Sequence, residues 1–236
     1  MSSEKLNVSV VLLTKNEEHN IDACLGSCSF AKEIIVVDDE STDETVAKAK
    51  TFGAKVFTRA LAGNWGEQQT FAISKASCEW VFLIDADERV SPLLAQNLAK
   101  TLEQNPQKAF WIQRENHYNS GRKAHGILRP DWVLRLLPRE GARVEGQVHP
   151  TICSPFPQEK LSGHLIHFPY RNWEAYFRKF EKYTTLSAEK YESQGKHCGF
   201  VNGIIIKPLW AFLKVYFFNL GFLDGKIGWT LSVYPF

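Results

Sequence analysis

The chain has 236 residues, of which 44% are hydrophobic and 23% are charged, as is typical of one large globular domain or of one domain with an appendage. A formal net charge of +2 gives no reason to expect a nucleic-acid partner, and we predict none. The five cysteines include no Cys-X-X-Cys pair, which favours free thiols in a reducing compartment over a zinc site or a disulfide framework.

The N-terminal half of the chain alternates short apolar runs with helix signals. The first residues are polar and lack the apolar core of a signal peptide. Strands are predicted over residues 8–13, 33–37, 55–58 and 80–84, because each short apolar run suits burial on both faces of a sheet. A helix is predicted after each strand, with N-caps at Asn16, Ser41, Asn64 and Ser91. This order implies an α/β fold, a parallel sheet with helices on both faces.

The chain after residue 108 is less regular. Strands are predicted over residues 109–113, 133–137 and 161–168, and a helix over residues 172–194. Residues 201–222 are apolar and aromatic but interrupted by lysines, so we predict no transmembrane helix. The segment suits a helix with one apolar face on a membrane surface, and the alternative is an ordinary C-terminal core helix. We therefore divide the chain into a sheet domain, residues 1–170, and a C-terminal helical, membrane-associating extension, residues 171–236.

Two acidic clusters follow predicted strands. Asp38-Asp39 comes directly after the second strand and Asp85-Ala86-Asp87 after the fourth. Because the carboxyl ends of parallel strands meet at one edge of a sheet, we expect both clusters at the edge where such sheets bind ligands. Asp85 and Asp87 point the same way from an extended backbone and are predicted to hold Mg²⁺ or Mn²⁺, which would in turn hold a diphosphate. The alternative is an acidic surface turn.

The basic residues and histidines of the second half have more than one interpretation. The basic side chains between residues 114 and 143 form either a solvated face or a site for an anion; they are Arg114, Arg122, Lys123, Arg129, Arg135, Arg139 and Arg143. His164 and His167 belong to the last predicted strand, and we expect them to be core or acceptor-site residues rather than metal ligands.

Several segments of the chain resemble a known family. Residues 10–21 (VVLLTKNEEHNI), 36–45 (VVDDESTDET) and 83–88 (LIDADE) are similar, in order and spacing, to the nucleotide-binding segments of the family 2 glycosyltransferases. The lipopolysaccharide core β-1,4-glucosyltransferase branch of that family has segments similar to residues 163–167, 183–185 and 221–225. The resemblance implies a GT-A fold, with a nucleotide-binding parallel-type sheet flanked by helices, to which the aromatic-rich helical extension is added.

The resemblance also implies an activity. The chain would be an inverting, metal-dependent hexosyltransferase that moves glucose from UDP-glucose onto an inner-core heptose of lipopolysaccharide, with Mg²⁺ or Mn²⁺ as cofactor. Its acceptor would be a lipid-anchored core oligosaccharide, and it would act in the cytoplasm, held peripherally on the inner face of the inner membrane. The alternatives are another nucleotide-sugar transferase of cell-envelope glycan synthesis and a non-catalytic sugar-nucleotide-binding protein. A nucleotidyltransferase is disfavoured, because residues 14–17 lack the glycines of a phosphate-binding loop.

Positions that match the family's motifs receive roles from the resemblance. Contacts to the uridine are expected from Thr14, Asn16, Glu17 and Asp39. Asp85 is expected near the ribose and the diphosphate, and with Asp87 as a metal ligand. Groups near the sugar nucleotide are expected at Trp65, Gly66, Gln68 and Gln69. The alternative for Trp65 is an aromatic side chain that packs at the start of a helix.

The catalytic base is the least determined role. An inverting transfer needs a group that takes the proton of the acceptor hydroxyl. Related sequences often carry an acid directly after a histidine in this region, but here Pro150 follows His149. The candidates, in order, are Glu145, Asp131 and His149.

Overall fold

The computed structural model describes residues 5–118, 120–146, 150–170, 172–195 and 199–234. The chain divides into two compact units: Met1–Arg114 with Asp131–His167, and Glu115–Pro130 with Phe168–Phe236. Residues 115–130, which lie between two strands in the sequence, therefore pack with the C-terminal helices. The domain boundary at residue 170 stays a prediction.

The described residues of the first unit form ten strands. They are β1 (Leu6–Thr14), β2 (Ala31–Asp38), β3 (Lys55–Thr58), β4 (Trp80–Asp85), β5 (Glu88–Val90), β6 (Ala109–Asn116), β7 (Asp131–Pro138), β8 (Arg143–Glu145), β9 (Thr151–Cys153) and β10 (Gln158–His167). Eight of them form one sheet in the order β3-β2-β1-β4-β7-β6-β10-β5, and β8 pairs with β9. The pairs β2–β3, β1–β2 and β1–β4 are parallel, as predicted, whereas β4–β7, β6–β7 and β5–β10 are antiparallel.

Within the described part of the first unit, four helices cover the sheet on both faces. They are α1 (Ile21–Ser27), α2 (Thr45–Thr51), α3 (Trp65–Ser74) and α4 (Pro92–Gln104). Side chains of β4 alternate between two buried clusters: Phe82 packs on the side of α1 and α4, and Leu83 on the side of α3. The short apolar run of β4 is thus buried on both faces, which is the reason it contains no polar alternation.

Two of the four predicted N-caps are confirmed. The side chains of Asn64 and Ser91 accept hydrogen bonds from the backbone N–H of Glu67 (3.0 Å) and Leu94 (3.3 Å). The predictions for Asn16 and Ser41 are wrong, because α1 begins at Ile21 and α2 at Thr45. The side chains of Asn16 and Ser41 instead make hydrogen bonds between the loop after β1 and the loop after β2. Short polar side chains can bond to nearby backbone in this way in place of capping a helix.

The second unit is helical. It contains a 3₁₀ turn (Gly126–Leu128), α5 (Trp173–Ser193), a helix over Val201–Phe218 with α6 (Lys207–Leu213) at its centre, a second 3₁₀ turn (Gly221–Asp224) and α7 (Gly225–Val233). Its buried cluster consists of Ala124, Leu128, Tyr176 and Leu231. The buried carboxylate of Asp224 accepts hydrogen bonds from the Tyr118 hydroxyl (2.9 Å) and the His125 backbone N–H (2.7 Å).

The helix over Val201–Phe218 differs from the prediction. Within the described residues it is one helix that by length and composition could cross a membrane. The sequence prediction treated Lys207 and Lys214 as interruptions, but both lie on one continuous helix whose remaining residues are largely apolar.

Candidate active site

The predicted clusters meet at one edge of the sheet. In the register of the parallel strands, Thr14 of β1 lies opposite Asp38 of β2, and Leu13 of β1 lies opposite Asp85 of β4. The carboxyl ends of β1, β2 and β4 therefore bring the loops after Thr14, Asp38 and Asp85 together. This is the ligand-binding edge of an open α/β sheet.

The loops after β1 and β2 are tied to each other by hydrogen bonds. Asn16, with φ of 55°, donates its backbone N–H to Ser41 Oγ (2.8 Å), and its side-chain oxygen accepts from the Thr42 backbone N–H (2.8 Å). Thr14 is buried and donates its hydroxyl to Asp38 (3.0 Å). These bonds join the loops after β1 and β2 into one rim, residues 14–17 and 38–42. Thr14 therefore has a structural role in addition to the predicted contact to the uridine.

Asp39 lies on this rim, and both of its carboxylate oxygens accept hydrogen bonds from the protein. One oxygen accepts from the backbone N–H of Leu61 (2.8 Å) and the other from Lys15 Nζ (2.8 Å). The Lys15 ammonium, followed by the Leu61 N–H, holds the pKa of Asp39 below its usual range, so the side chain is a carboxylate at neutral pH. A fixed, ionised acceptor at a strand end suits a ribose hydroxyl or a base N–H.

Glu17 is a partly buried carboxyl on the same rim. Burial raises its pKa, the hydrogen bond from Asn20 opposes this, and the charge of Asp87 adds to the increase. Glu17 follows β1 and Asp87 follows β4, and because these two strands are parallel neighbours, both loops lie at the same edge of the sheet. Both belong to the predicted site.

The predicted site residues on helix α3 differ in their exposure and in their hydrogen bonds. Trp65 is 45% exposed, so it is not the packed aromatic of the alternative interpretation. Gln68 is buried and exchanges two hydrogen bonds with Arg59, accepting from Nη1 (2.6 Å) and donating to the carbonyl oxygen (2.5 Å). Gln68 thus orients Arg59, which directly follows β3. The buried Oε1 of Gln69 has no hydrogen-bond partner among the described residues.

Asp85 and Asp87, which were predicted to act as a pair, contact different partners: Asp85 contacts Arg135, and Asp87 contacts His167. Arg135 of β7 is buried and donates from Nη2 to Asp85 and to Glu88 (2.8 Å), while Glu88 accepts the backbone N–H of Asp85 (3.0 Å). Burial acts to raise the pKa of Asp85, but the charge of Arg135 outweighs it and the net pKa is lowered. Burial raises the pKa of Glu88 in spite of Arg135.

Asp87 faces the end of β10. Its carboxylate lies 3.2 Å from Nε2 of His167, and both side chains are partly accessible. A carboxylate and an imidazole are ligands that divalent metals accept. No group of three or more His, Cys, Asp or Glu side chains is poised to hold a metal within the described part of the chain, so an ion here would need further ligands from substrate oxygens and water.

The basic stretch is divided among internal partners. Arg114 donates to both carboxylate oxygens of Asp131 (3.0 and 2.6 Å) and lies 3.5 Å from Glu88. Arg143 pairs with Glu145 (2.8 Å), and Arg139 donates to the carbonyl oxygen of Cys78 (3.0 Å). Arg114 and Arg135 therefore contact carboxylates at the sheet edge, whereas the other five basic side chains of the stretch are exposed.

The three candidates for the base differ in accessibility. Asp131 is occupied by the fork of Arg114. Glu145 lies at the end of β8, with a side chain that is 59% exposed and one bond to Arg143. His149 lies outside the described residues. Glu145 is the more exposed of the two described carboxylates, since the side chain of Asp131 is 46% exposed.

Sequence reasoning missed Arg59, the role of Arg135, and the pairing of His167 with Asp87. Arg59 follows a predicted strand directly, and this position was a usable signal. The partners of Asp85 and Asp87 are 50 and 80 residues away in the chain. Their strands were predicted, but the order of those strands in the sheet was not.

Comparison with known proteins agrees with this geometry. The family Glycosyl transferase family 2 matches residues 9–158. An uncharacterized glycosyltransferase of Rickettsia typhi is 30% identical, over 96% of this chain and 82% of that protein. The lipopolysaccharide core biosynthesis glycosyltransferase LpsC of Rhizobium meliloti is also 30% identical, over 98% of this chain and 90% of LpsC.

A solved structure confirms the predicted fold. S. aureus TarS 1–349 shares a TM-score of 0.50 and 17% identity with this chain, over 68% of this chain and 60% of that one. At this identity the likeness concerns the fold alone, and the fold is GT-A. With a matching family over most of the sheet unit and relatives aligned over nearly the full length, the chain belongs to glycosyl transferase family 2.

Proposed function

We propose that this glycosyltransferase moves glucose from UDP-glucose onto an inner-core heptose of a lipid-anchored lipopolysaccharide core. The observation that carries the proposal is the strand register, which brings Asp39, Asp85 and Asp87 to the same edge of the sheet. An ionised hydrogen-bond acceptor suits the nucleoside, and a carboxylate that holds a divalent ion suits the diphosphate of a nucleoside-diphosphate sugar. The similarity to LpsC, named for lipopolysaccharide core biosynthesis, supports the acceptor class.

The nucleotide half of the donor would lie on the rim of the β1 and β2 loops. Asp39 is fixed by Lys15 and Leu61, and the exposed ammonium of Lys15 can move aside for a ligand N–H or hydroxyl. Asp85, held by Arg135, would meet the ribose and the diphosphate. Trp65, exposed at the start of α3, offers an aromatic face to the sugar nucleotide.

Asp85, the other predicted metal ligand, is bonded to Arg135, so Asp87 and His167 would hold Mg²⁺ or Mn²⁺. Their donor set, one carboxylate oxygen and one imidazole nitrogen at 3.2 Å, leaves room for diphosphate oxygens and water, as such ions require. When bound, the ion would neutralise charge on the departing diphosphate. We infer a metal role for His167 in place of the core or acceptor-site role that we expected from its sequence position.

Glu145 is the proposed base. It would accept the proton of the acceptor hydroxyl while the glycosidic bond forms and UDP departs. A non-catalytic sugar-nucleotide-binding protein would keep the same donor site without this step. The alternative acceptors, other cell-envelope glycans, would leave the donor half unchanged.

The test is turnover by the purified full-length chain with a heptose-containing core oligosaccharide. We expect UDP release that requires the acceptor, a product heavier by one hexose, and lower rates with UDP-galactose and UDP-N-acetylglucosamine than with UDP-glucose. EDTA and Asp87→Ala should abolish turnover with the fold intact. Glu145→Gln should slow it by about 10²–10⁴-fold.

Glu159→Gln is the matched control. Glu159 is also an exposed strand glutamate in an ion pair, with Lys108 at 2.6 Å, and its loss should leave the rate unchanged. Binding of UDP without release from any donor and acceptor would favour the non-catalytic alternative. A normal rate for Glu145→Gln together with a slow Asp131→Asn would move the base to Asp131.

A further inference from the structure

The helix over Val201–Phe218 exposes an unusual amount of apolar side chain. More than half of each of the following side chains is accessible: Val201, Ile204, Ile205, Ile206, Leu209, Trp210, Phe217 and Phe218. Of the eighteen residues in this helix, Val215 alone is buried. A contiguous exposed apolar surface of this kind marks an interaction site.

The C-terminal half of the helix is anchored within the second unit. The rings of Phe212 and Tyr216 pack against Trp229 of α7, with centroids 5.1 and 5.5 Å apart. Val215 is buried beside them. The C-terminal half of the helix is therefore packed against the rest of the unit, whereas the N-terminal half is largely exposed.

The N-terminal half is exposed on every side. Ile205 and Leu209, four residues apart, share one side of the helix. Lys207 and Trp210, three residues apart, share the opposite side, and all four side chains are exposed. A protein partner covers one stripe of a helix, whereas a helix that is apolar all round is buried in a core or in lipid.

The dimensions and the charges agree with lipid. The eleven residues from 200 to 210 extend over about 16 Å, which is about half of the hydrocarbon thickness of about 30 Å. Lys207 and Lys214 are seven residues apart and share one side, and both are exposed. Long lysine stems can lie along apolar surface while their ammonium groups reach the lipid headgroups.

We propose that the N-terminal half of this helix, residues 200–210, is embedded in the hydrocarbon of a phospholipid bilayer, with Lys207 and Lys214 directed to anionic headgroups. This goes beyond the one-sided surface helix that the composition predicts, because the apolar side chains surround the helix. The inference concerns attachment and not chemistry, so it stands or falls separately from the proposed function.

The first experiment is fractionation of bacterial membranes that contain the full-length chain. An embedded helix should keep the protein in the membrane through concentrated salt and alkaline carbonate, and only detergent should release it. Purified protein should also float with phosphatidylcholine vesicles and bind more tightly when phosphatidylglycerol is added. Lys207→Gln with Lys214→Gln should reduce that preference on the order of tenfold, since each lysine interacts with the anionic surface.

Charge scanning then separates embedding from surface contact. Ile205→Glu and Trp210→Glu place a charge on opposite sides of the helix, and embedding predicts that each weakens vesicle binding by more than tenfold. Leu93→Glu is the control, since Leu93 is an exposed apolar residue of α4 in the first unit and its change should have no effect. Circular dichroism and thermal unfolding report whether each variant is folded.

Three outcomes would overturn the proposal. Release by alkaline carbonate would leave only peripheral contact. Loss of binding in Ile205→Glu alone, with Trp210→Glu unaffected, would show a helix that lies on the surface with one apolar face. In the third outcome, the wild-type chain does not bind vesicles but forms a concentration-dependent dimer that Ile205→Glu disrupts. The exposed apolar surface would then be an interface with a second copy of the chain.

Discussion

Arg135 is a buried guanidinium between two carboxylates, Asp85 and Glu88. Taking such charges out of water costs several kcal/mol per ion, so the group adds little net stability. Its planar fork nevertheless restricts where a carboxylate can lie. We therefore regard Arg135 as a positioning residue that fixes Asp85 toward the donor.

Removing Arg135 should separate stability from positioning. Arg135→Met leaves Asp85 and Glu88 without their shared partner, and we expect a loss of about 3–5 kcal/mol in the free energy of unfolding. The double variant Arg135→Met/Glu88→Gln removes one charge of each sign and should recover most of this stability. Its KM for the sugar nucleotide should stay high, because Asp85 is no longer held. Urea unfolding and steady-state kinetics measure the two effects.

A double variant that regains both stability and KM would contradict the positioning role. Arg135 would then be only the counterion of Glu88. Lys108→Met with Glu159→Gln, which removes an exposed pair between the residue before β6 and strand β10, is the control and should change neither quantity by much.

Glu33 of β2 is the second buried carboxylate whose partners matter. It accepts hydrogen bonds from Ser9 Oγ (2.5 Å), the Ser77 backbone N–H (2.7 Å) and Lys55 Nζ (2.6 Å). Burial acts to raise its pKa, but the hydrogen bonds from Lys55, Ser9 and Ser77 outweigh it and lower the pKa to about 2. Only donors surround this carboxylate, so the ionised form is the one that fits.

Glu33→Gln should destabilise the protein in a pH-dependent way. The new amide group faces donors, and we expect a loss of about 1–3 kcal/mol at neutral pH. Because the folded pKa is depressed, the contribution of Glu33 is complete above about pH 4.5 and is lost as the pH falls toward 2. The difference between wild type and variant in urea unfolding should therefore shrink in acid. A constant difference at every pH would show that packing and not ionisation is responsible.

At the scale of elements, local patterns predicted β1, β2, β3 and β4 within about two residues at each end, a usual margin for strand boundaries. Of the four predicted N-caps, two were correct. Asn64 and Ser91 cap helices because the chain continues directly into a helical turn. Asn16 and Ser41 carry similar signals but bond to each other's loops, a contact between residues 25 apart that no local pattern contains.

Gly163 shows what a motif in the second half does for the fold. It has φ of 102°, and a Cβ atom there would lie 2.6 Å from Cα of the buried Leu94. The glycine thus permits β10, which carries His167, to pass directly over the start of α4. Sequence resemblance marked this glycine but gave no physical reason for it.

Gly163→Ala should loosen the contact between β10 and α4. Backbone strain and the clash with Leu94 together should cost about 3 kcal/mol in urea unfolding. Gly53→Ala is the matched control, since Gly53 also has a positive φ of 72° but no atom lies within 4 Å of the position that a Cβ would take there. It should lose only about 1 kcal/mol. Equal losses in the two variants would mean that strain alone acts at Gly163.

At the scale of the whole chain, the sequence predicted one boundary at residue 170, whereas the compact units cross it. Residues 115–130 were predicted as loop within the sheet domain, because polar segments between strands usually are loops. In the structure they supply Ala124 and Leu128 to the buried cluster of the second unit. The partners of that segment, Tyr176 and Leu231, follow about 50–100 residues later, beyond the reach of local patterns.

This arrangement predicts that the chain cannot be cut at residue 170 without damage. A chain of residues 1–170 keeps residues 115–130 but removes Tyr176, Leu231 and Asp224, on which they pack. We expect it to expose apolar surface, to unfold over a broad range of urea and to aggregate. Analytical ultracentrifugation and urea unfolding measure both properties.

A chain that removes the whole second unit should behave better. Arg114 and Asp131 lie directly opposite each other in the antiparallel pair β6–β7, so a short Asn-Gly turn can join them. Residues 5–114, this turn and residues 131–167 keep the eight-stranded sheet and all the nucleotide-contacting candidates, from Thr14 to Asp85. We expect this shortened chain to unfold in one cooperative transition and to bind UDP with the affinity of the full chain. If residues 1–170 prove equally cooperative and soluble, residues 115–130 are stable on the sheet unit alone, and the boundary predicted from the sequence is the correct one.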